Sequence, residues 1–276
     1  MYICCMSTHK EIKRVTTRII HEMKASGEKI SMLTAYDYST AAILDAAGVD
    51  VVLVGDSAGN VFAGHETTLP MTLDQMIYHG SAVTRAVRRA MVVVDLPFGS
   101  YQGEPYAALN SAVRVMKETG AQGIKLEGGA EVQEAIKLMV SAGIPVVGHL
   151  GLTPQSVNQF GGFGLRANTD IEAHGLKQQV EVLQDAGCFA IVIEKVPAKL
   201  AAEISGQSRV PIIGIGAGPD CDGQVLVVND MLGLTKGFKP KFLRQYLNLY
   251  EQIHTAVEHY VDDVKTGNFP NEAESY

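Results

Sequence analysis

The chain of 276 residues is 46% hydrophobic and 19% charged, with a formal net charge of −7. This is the composition of a globular protein with a sizeable core, and the length is close to the roughly 250 residues of a (β/α)8 barrel. The negative balance and the lack of a basic cluster exclude a general nucleic-acid binder, which needs a cationic face to displace counterions.

In chain order, the opening Met1-Tyr-Ile-Cys-Cys-Met-Ser-Thr-His-Lys has no apolar signal core, so secretion is not expected, and Met6 is a second candidate start. A helix over 8–26 is expected to precede the first strand. Strands are expected near 31–36, 51–55, 91–94, 123–126, 144–148, 189–193, 210–214 and 224–228. Between them the helical period places helices near 39–47, 72–89, 105–119, 130–142, 172–186 and 198–206. The short Val/Ile-rich runs have the pattern of strands buried on both faces, which belong to parallel sheets. Over 130–142, Val132, Ile136, Met139 and Val140 form one stripe that stops at Gly143. Val180, Leu183 and Gly187 repeat the arrangement, and Ala-Gly ends three helices at Gly48, Gly143 and Gly187. A recurring helix–Gly–strand junction is the product of a repeated βα unit. Eight strands with intervening helices favour a closed barrel over an open sheet.

Arg85, Arg88 and Arg89 are expected on one helical segment, where they solvate it. The irregular stretch 150–171 carries Gly161-Gly-Phe-Gly after a strand end and is a candidate lid. A polar helical tail is expected over 240–265. No linker rich in Pro, Gly or Ser cuts the chain, so a single domain over 1–276 is expected. No apolar run approaches the roughly 20 residues of a membrane span, so no membrane is expected. Cys4, Cys5, Cys188 and Cys221 form neither a disulfide framework nor a zinc spacing, which points to a reduced, cytoplasmic compartment.

Five chemically active side chains stand where these strands give way to loops: Asp56, Asp95, Glu127, His149 and Glu194. In a parallel barrel all carboxyl ends of strands face one side, where active sites lie, so five scattered positions converge on one pocket. Asp56, Asp95 and Glu127 end consecutive strands, and converging anions repel unless a cation or shared protons compensate. Oxygen ligation with few protein donors suits Mg2+; taken singly, each carboxylate serves equally as a helix cap or a lysine partner. Lys125 lies two residues before Glu127, on the same side of its strand. It is either a cation for a carboxylate or developing enolate oxygen, or one half of a structural Lys–Glu pair. Ser57 either donates to substrate or caps a helix. His149 is an electrophile, a ligand or a satisfied core histidine. Glu194, after an apolar strand, is a general base raised by desolvation, or the salt-bridge partner of Lys195. Gly214-Ile-Gly-Ala-Gly either forms a backbone anion-binding turn or permits close packing; it does not fit a dinucleotide fingerprint.

Longer phrases carry a resemblance: Thr34-Ala-Tyr-Asp, Val54-Gly-Asp-Ser, Val94-Asp-Leu-Pro-Phe-Gly-Ser-Tyr, Lys125-Leu-Glu-Gly-Gly, Gly148-His-Leu-Gly-Leu-Thr-Pro-Gln-Ser, Glu194-Lys-Val-Pro, Gly214-Ile-Gly-Ala-Gly and Cys221-Asp-Gly-Gln-Val-Leu-Val. With them the chain, from about 12 to 250, resembles the ketopantoate (3-methyl-2-oxobutanoate) hydroxymethyltransferase family. The resemblance implies an α/β fold, a (β/α)8 TIM barrel of the phosphoenolpyruvate/pyruvate type, assembled as a homodecamer. It implies transfer of a one-carbon unit from 5,10-methylenetetrahydrofolate to 3-methyl-2-oxobutanoate, giving 2-dehydropantoate for pantothenate synthesis. By matching motif, Asp56, Asp95 and Glu127 take the Mg2+ role, Asp56, Ser57, Asp95 and Lys125 contact the keto acid, and Glu194 accepts the proton. His149 is an active-site neighbour. Phe163-Gly-Leu-Arg-Ala-Asn-Thr departs from the family's usual Tyr-Lys-Val-Gln-Gly phrase, which bears on the lid and the folate contacts. A phosphoenolpyruvate mutase or isocitrate-lyase-like enzyme would carry a Cys-Gly-His loop phrase, which is absent here. A catalytically idle oligomeric scaffold would be expected to have lost one of the carboxylates.

Overall fold

The computed structural model describes residues 13–237 and 239–276. Eight parallel strands close into a barrel in sequence order: β1 Ile30–Thr34, β2 Val51–Val54, β3 Met91–Asp95, β4 Gly123–Glu127, β5 Val146–Gly151, β6 Ala190–Glu194, β7 Ile212–Ile215 and β8 Gly223–Leu226. Around them run α1 Thr17–Ser26, α2 Tyr38–Ala46, α3 Ala58–Val61, α4 Leu73–Ala86, α5 Pro105–Thr119, α6 Gln133–Ser141, α7 Val157–Phe160, α8 Asp170–Ala186 and α9 Ala198–Gln207. The expected alternation of strand and helix is therefore the one observed.

Alternation within each strand divides two environments. Met32, Val51, Leu53, Met91, Val93, Val147, Ala190, Val192 and Ile213 form one buried cluster with Val15, Ile20 and Met23. The last three come from α1 and the segment before it, so that helix closes the floor of the barrel. The intervening residues, such as Val52, Val92, Val94, Ile124 and Ile191, are also buried, so these strands bury both faces. Continuing the inward series toward the carboxyl ends gives Asp95 above Val93, Lys125 and Glu127 above Gly123, His149 above Val147, and Glu194 above Val192. Each inner face thus changes from apolar to ionisable near its top.

Several boundaries differ from expectation for identifiable reasons. The N-terminal helix starts at Thr17, not at 8: Thr16 accepts from the Ile19 amide as its N-cap, and the Val15 amide is committed to the Arg89 carbonyl. Residues 8–12 of that expectation lie outside the described residues. Helix α4 ends at Ala86, because the Asp45 carboxylate accepts the amides of Arg88, Arg89 and Ala90. Arg89 therefore does not solvate a helix with Arg85; it donates to the Gly48 and Val49 carbonyls and pairs with Asp50 at 2.9 Å. Strand β5 begins after Pro145, which has no amide hydrogen, and runs on to Gly151, so His149 lies inside the strand. The stretch 150–171 is less irregular than expected, since it holds a 3-10 turn at Pro154–Ser156 and α7.

The chain divides into two compact units, up to Val225 and from Leu226 to Tyr276. In the second, α10 Val228–Met231 is followed by α11 Leu249–Thr266. The helical tail thus starts at Leu249 and not at 240. Pro240 sits in a turn, and the Tyr246 and Leu249 amides are taken by the Met231 and Leu232 carbonyls. Among the described residues no helix is long and apolar enough to cross a membrane.

Candidate active site

Parallel register brings the ionisable residues together. Asp95 lies opposite Lys125 on β3 and β4, Glu127 opposite His149 on β4 and β5, and Glu194 opposite Gly151 on β6 and β5. Lys125 Nζ stands 2.9 Å from Asp95 Oδ1, with both side chains almost wholly excluded from water. His149 Nδ1 is 3.3 Å from Glu127 Oε1, and its Nε2 is 3.3 Å from Glu194 Oε2. Asp56, in the turn after β2, donates its amide to Asp95 Oδ2 at 3.1 Å. An arc of contacts runs Asp56–Asp95–Lys125 on one side and Glu127–His149–Glu194 on the other. The structure brings together all of the residues singled out from strand ends.

Two glycines permit this approach. Gly151 has φ +88°, and a Cβ there would lie 2.3 Å from the Glu194 carbonyl, so only glycine lets β5 and β6 meet where His149 faces Glu194. In the Gly214–Gly218 turn, a Cβ on Gly218 (φ +86°) would strike the Ala198 Cβ at 2.4 Å. Close packing onto α9 is thus a sufficient account of that phrase.

Electrostatics distinguish the members of the arc. Burial, together with the charges of Asp95 and Glu127, pushes the Asp56 carboxyl up to about 7. Burial likewise raises Asp95, although Lys125 opposes the shift. Burial alone would lower Lys125, but Asp95, Glu127 and Asp56 outweigh it and hold the ammonium above its ordinary value. For His149, burial and the Lys125 charge act downward, while the contacts with Glu127 and Glu194 win and raise it to about 9. The site thus collects more buried negative charge than Lys125 and His149 relieve at Asp56, an excess that a further cation would offset. Among the described residues, no three His, Cys, Asp or Glu side chains form a ready-made metal cage.

The residues whose roles the sequence left open have these neighbours. Lys125 pairs across strands with Asp95. Ser57, at the N-cap of α3, makes no capping bond, and its Oγ lies 2.8 Å from Tyr36 Oη. Lys195 donates to the Phe163 carbonyl, and its φ of +46° turns the chain sharply after Glu194.

Sequence reasoning passed over two neutral residues in the centre. Tyr101 and Gln155 are buried, and Tyr101 Oη donates to Gln155 Oε1 at 2.6 Å while accepting from the Glu127 amide at 3.1 Å. Burial and the nearby Glu127 charge hold the phenol above its ordinary value, so it stays a donor. Both residues stood in the phrases Pro-Phe-Gly-Ser-Tyr and Thr-Pro-Gln-Ser, but uncharged side chains carry no signature of repulsion or metal chemistry. Beside Glu127, Tyr101 and Gln155 opens a cavity of about 700 Å3, whose far wall includes Phe160 and Arg166 of the expected lid. The Arg166 guanidinium sits over the Phe160 ring, 4.1 Å from its centroid.

Comparison with known proteins gives the family of the chain. The model of a protein family described as ketopantoate hydroxymethyltransferase matches residues 14–272. The chain is 61% identical to 3-methyl-2-oxobutanoate hydroxymethyltransferase of Cytophaga hutchinsonii, over 98% of this chain and 100% of that one. It is 60% identical, with the same coverage, to the enzyme of that name from Flavobacterium johnsoniae. Among solved structures, a phosphonopyruvate hydrolase in complex with oxalate and Mg2+ superposes with TM-score 0.61 at 11% identity, covering 94% of this chain and 92% of that chain. A 2,3-dimethylmalate lyase of the phosphoenolpyruvate mutase/isocitrate lyase superfamily gives 0.58 at 12% identity, covering 91% and 98%. At these identities the structural likeness is one of fold.

Proposed function

The chain belongs to the ketopantoate hydroxymethyltransferase family, and from that membership we propose a specific reaction at the mouth of the barrel. It is an enzyme of the 3-methyl-2-oxobutanoate hydroxymethyltransferase class. In the proposed reaction a hydroxymethyl group derived from 5,10-methylenetetrahydrofolate is transferred to 3-methyl-2-oxobutanoate, giving 2-dehydropantoate, through Mg2+-assisted enolisation. The observation that carries this reading is the pair of contact runs, Asp56–Asp95–Lys125 and Glu127–His149–Glu194, which gather buried carboxylates, one ammonium and a separate carboxylate at the carboxyl ends of the strands.

Asp56, Asp95 and Glu127 are the residues that would hold Mg2+. Bound there, the ion would act as a Lewis acid on the 2-oxo acid. Lys125 presents positive charge to the oxygen on which negative charge develops, in a site dry enough for that charge to count. Ser57, held by Tyr36, donates to the keto acid, and Asp56 and Asp95 contact it as well. Glu194 takes the C3 proton, and His149 Nε2, 3.3 Å away, steadies that carboxylate. The electron pair released at C3 forms the new carbon–carbon bond to the folate-derived methylene as one of that carbon's two C–N bonds breaks. Water then displaces the second nitrogen and supplies the hydroxyl, tetrahydrofolate leaves, and the C3 proton and one water proton end on its two nitrogens. The cavity of about 700 Å3 beside Glu127 has the size of a small-molecule site and gives the donor room next to the keto acid.

We take the working form to be a cytoplasmic homo-oligomer, the decamer that the resemblance implies, and light scattering on the purified chain checks the mass. The reaction itself is tested by incubating the enzyme, Mg2+ and 3-methyl-2-oxobutanoate in D2O without a folate. Deuterium should enter C3, and a chelator should stop it. No wash-in from an enzyme that completes transfer in a coupled assay would overturn enolisation as a free-standing step.

A further inference from the structure

Gln155 makes more contacts inside the site than any of the charged residues, and none of the proposed chemistry uses it. Its backbone amide donates to Glu127 Oε2 at 2.9 Å. Its side-chain Nε2 donates to Asp56 Oδ2 at 2.8 Å and to the Leu96 carbonyl at 3.0 Å. Its Oε1 accepts from Tyr101 Oη at 2.6 Å and from Gln102 Nε2 at 2.9 Å. The two ends of a glutamine amide look alike in shape, so its orientation follows from its partners. The Gly99 amide can only donate, and it donates to Gln102 Oε1 at 2.8 Å. Gln102 must then present its NH2 to Gln155, which in turn must present its own NH2 to Asp56. The Leu96 carbonyl, which can only accept, demands the same orientation.

We infer that Gln155 is a positioning residue that sets the rotation of two of the proposed metal carboxylates, Asp56 through its side chain and Glu127 through its backbone. Resting on the metal reading above, the argument is one of charge as well as geometry. A lysine or arginine in this place would hold Asp56 equally well, but would neutralise it and compete with a divalent cation. A neutral amide holds the carboxylate and leaves its charge. Because Gln155 follows β5 whereas Asp56 follows β2 and Glu127 ends β4, it ties opposite parts of the barrel rim to one another. Every donor and acceptor of its amide is occupied, so its position is over-determined and a wrong rotamer leaves buried groups unpaired.

The test is direct Mn2+ binding to the purified full chain, followed by the loss of the free-ion electron paramagnetic resonance signal. Gln155→Leu keeps the approximate volume and removes the amide; the dissociation constant should rise by about 10–100-fold, the usual consequence of removing an outer partner of a metal ligand. Tyr101→Phe removes the hydroxyl that anchors Gln155 and should weaken Mn2+ in the same direction by a smaller factor. The double variant should be weakened by less than the product of the two single effects, because Tyr101 acts through Gln155. Unchanged Mn2+ affinity in Gln155→Leu, or independent multiplying effects, would overturn the assignment. Should Gln155→Leu fail to fold, unchanged affinity in Tyr101→Phe decides against it alone. A wild-type chain that takes up no Mn2+ would instead overturn the metal reading, a result distinct from equal binding by wild type and variants.

Discussion

Asp56 and Asp95 end up side by side because β2 and β3 are in register, with Val54 opposite Val94 and the Asp56 amide reaching back to Asp95. Two buried carboxylates joined in this way are costly without compensation, which is why Asp56 rises to about 7. Replacing either by alanine removes a proposed ligand while relieving the repulsion. Asp56→Ala should therefore assemble normally, whereas Asp95→Ala also leaves the Lys125 ammonium buried without its partner and should be less stable. Both should lose about 3 kcal/mol of transition-state stabilisation, about a hundredfold in metal-dependent turnover. Steady-state kinetics with a Mg2+ titration, alongside light scattering, checks both halves of that expectation. Glu194 has a different proposed part, standing on β6 across His149 from the proposed metal carboxylate Glu127. Glu194→Gln keeps the shape and removes the proposed base, so keto-acid binding measured by calorimetry should persist while turnover falls by about 10^2–10^4-fold. An active Gln variant would leave the proton without an acceptor. At this scale the charged members were readable from the sequence as soon as strand ends were located. Gln155 and Tyr101 were not, because a neutral hydrogen bond depends on orientation and leaves no mark in residue type.

Elements are fixed by what their ends must satisfy. Strand β5 was expected to stop at 148, but it continues because its amides and carbonyls have partners on β6 as far as Gly151, and the Leu152 amide still reaches the Glu194 carbonyl. Gly151→Ala would force a Cβ into that carbonyl at positive φ. It should cost about 2 kcal/mol, lowering Tm by roughly 4–8 °C for a domain of this size. Calorimetric melting checks the loss, and His149 and Glu194 should separate with it, so activity should fall beyond what stability explains. The end of α4 rests on one side chain, Asp45, which accepts three successive amides from the next segment. Asp45→Ala orphans them and should cost about 1–3 kcal/mol, read as a shift in denaturant midpoint at unchanged slope. Helical period and Gly stops located the middle of these elements. Their ends depended on partners far away in sequence, such as Asp45 for 88–90, which no local window contains.

At the scale of the molecule, the barrel is a single buried cluster that changes character along its axis, apolar at the floor where α1 packs and ionisable at the mouth. Cys188 marks the interior: it is 2% exposed, and burial pushes its thiol up to about 12. Because thiolate is the reactive form, Cys188 should resist alkylation at pH 8 in the native protein. Its labelling, followed by peptide mass, should rise only with global unfolding in denaturant; fast native labelling would mean that the α8–β6 junction opens locally. By itself the sequence determined the βα alternation, the closed-barrel class and the set of charged residues at the strand ends, together with the family phrases. Each of these is local in the chain: strand pattern, helix period, or a charged residue after an apolar run. Only the tertiary structure decided which of those charges touch, that Lys125 meets Asp95 directly, that His149 bridges Glu127 and Glu194, and that Gln155 bonds to both Asp56 and Glu127. Those outcomes depend on register and burial, which arise only once eight separate strands have closed on one another.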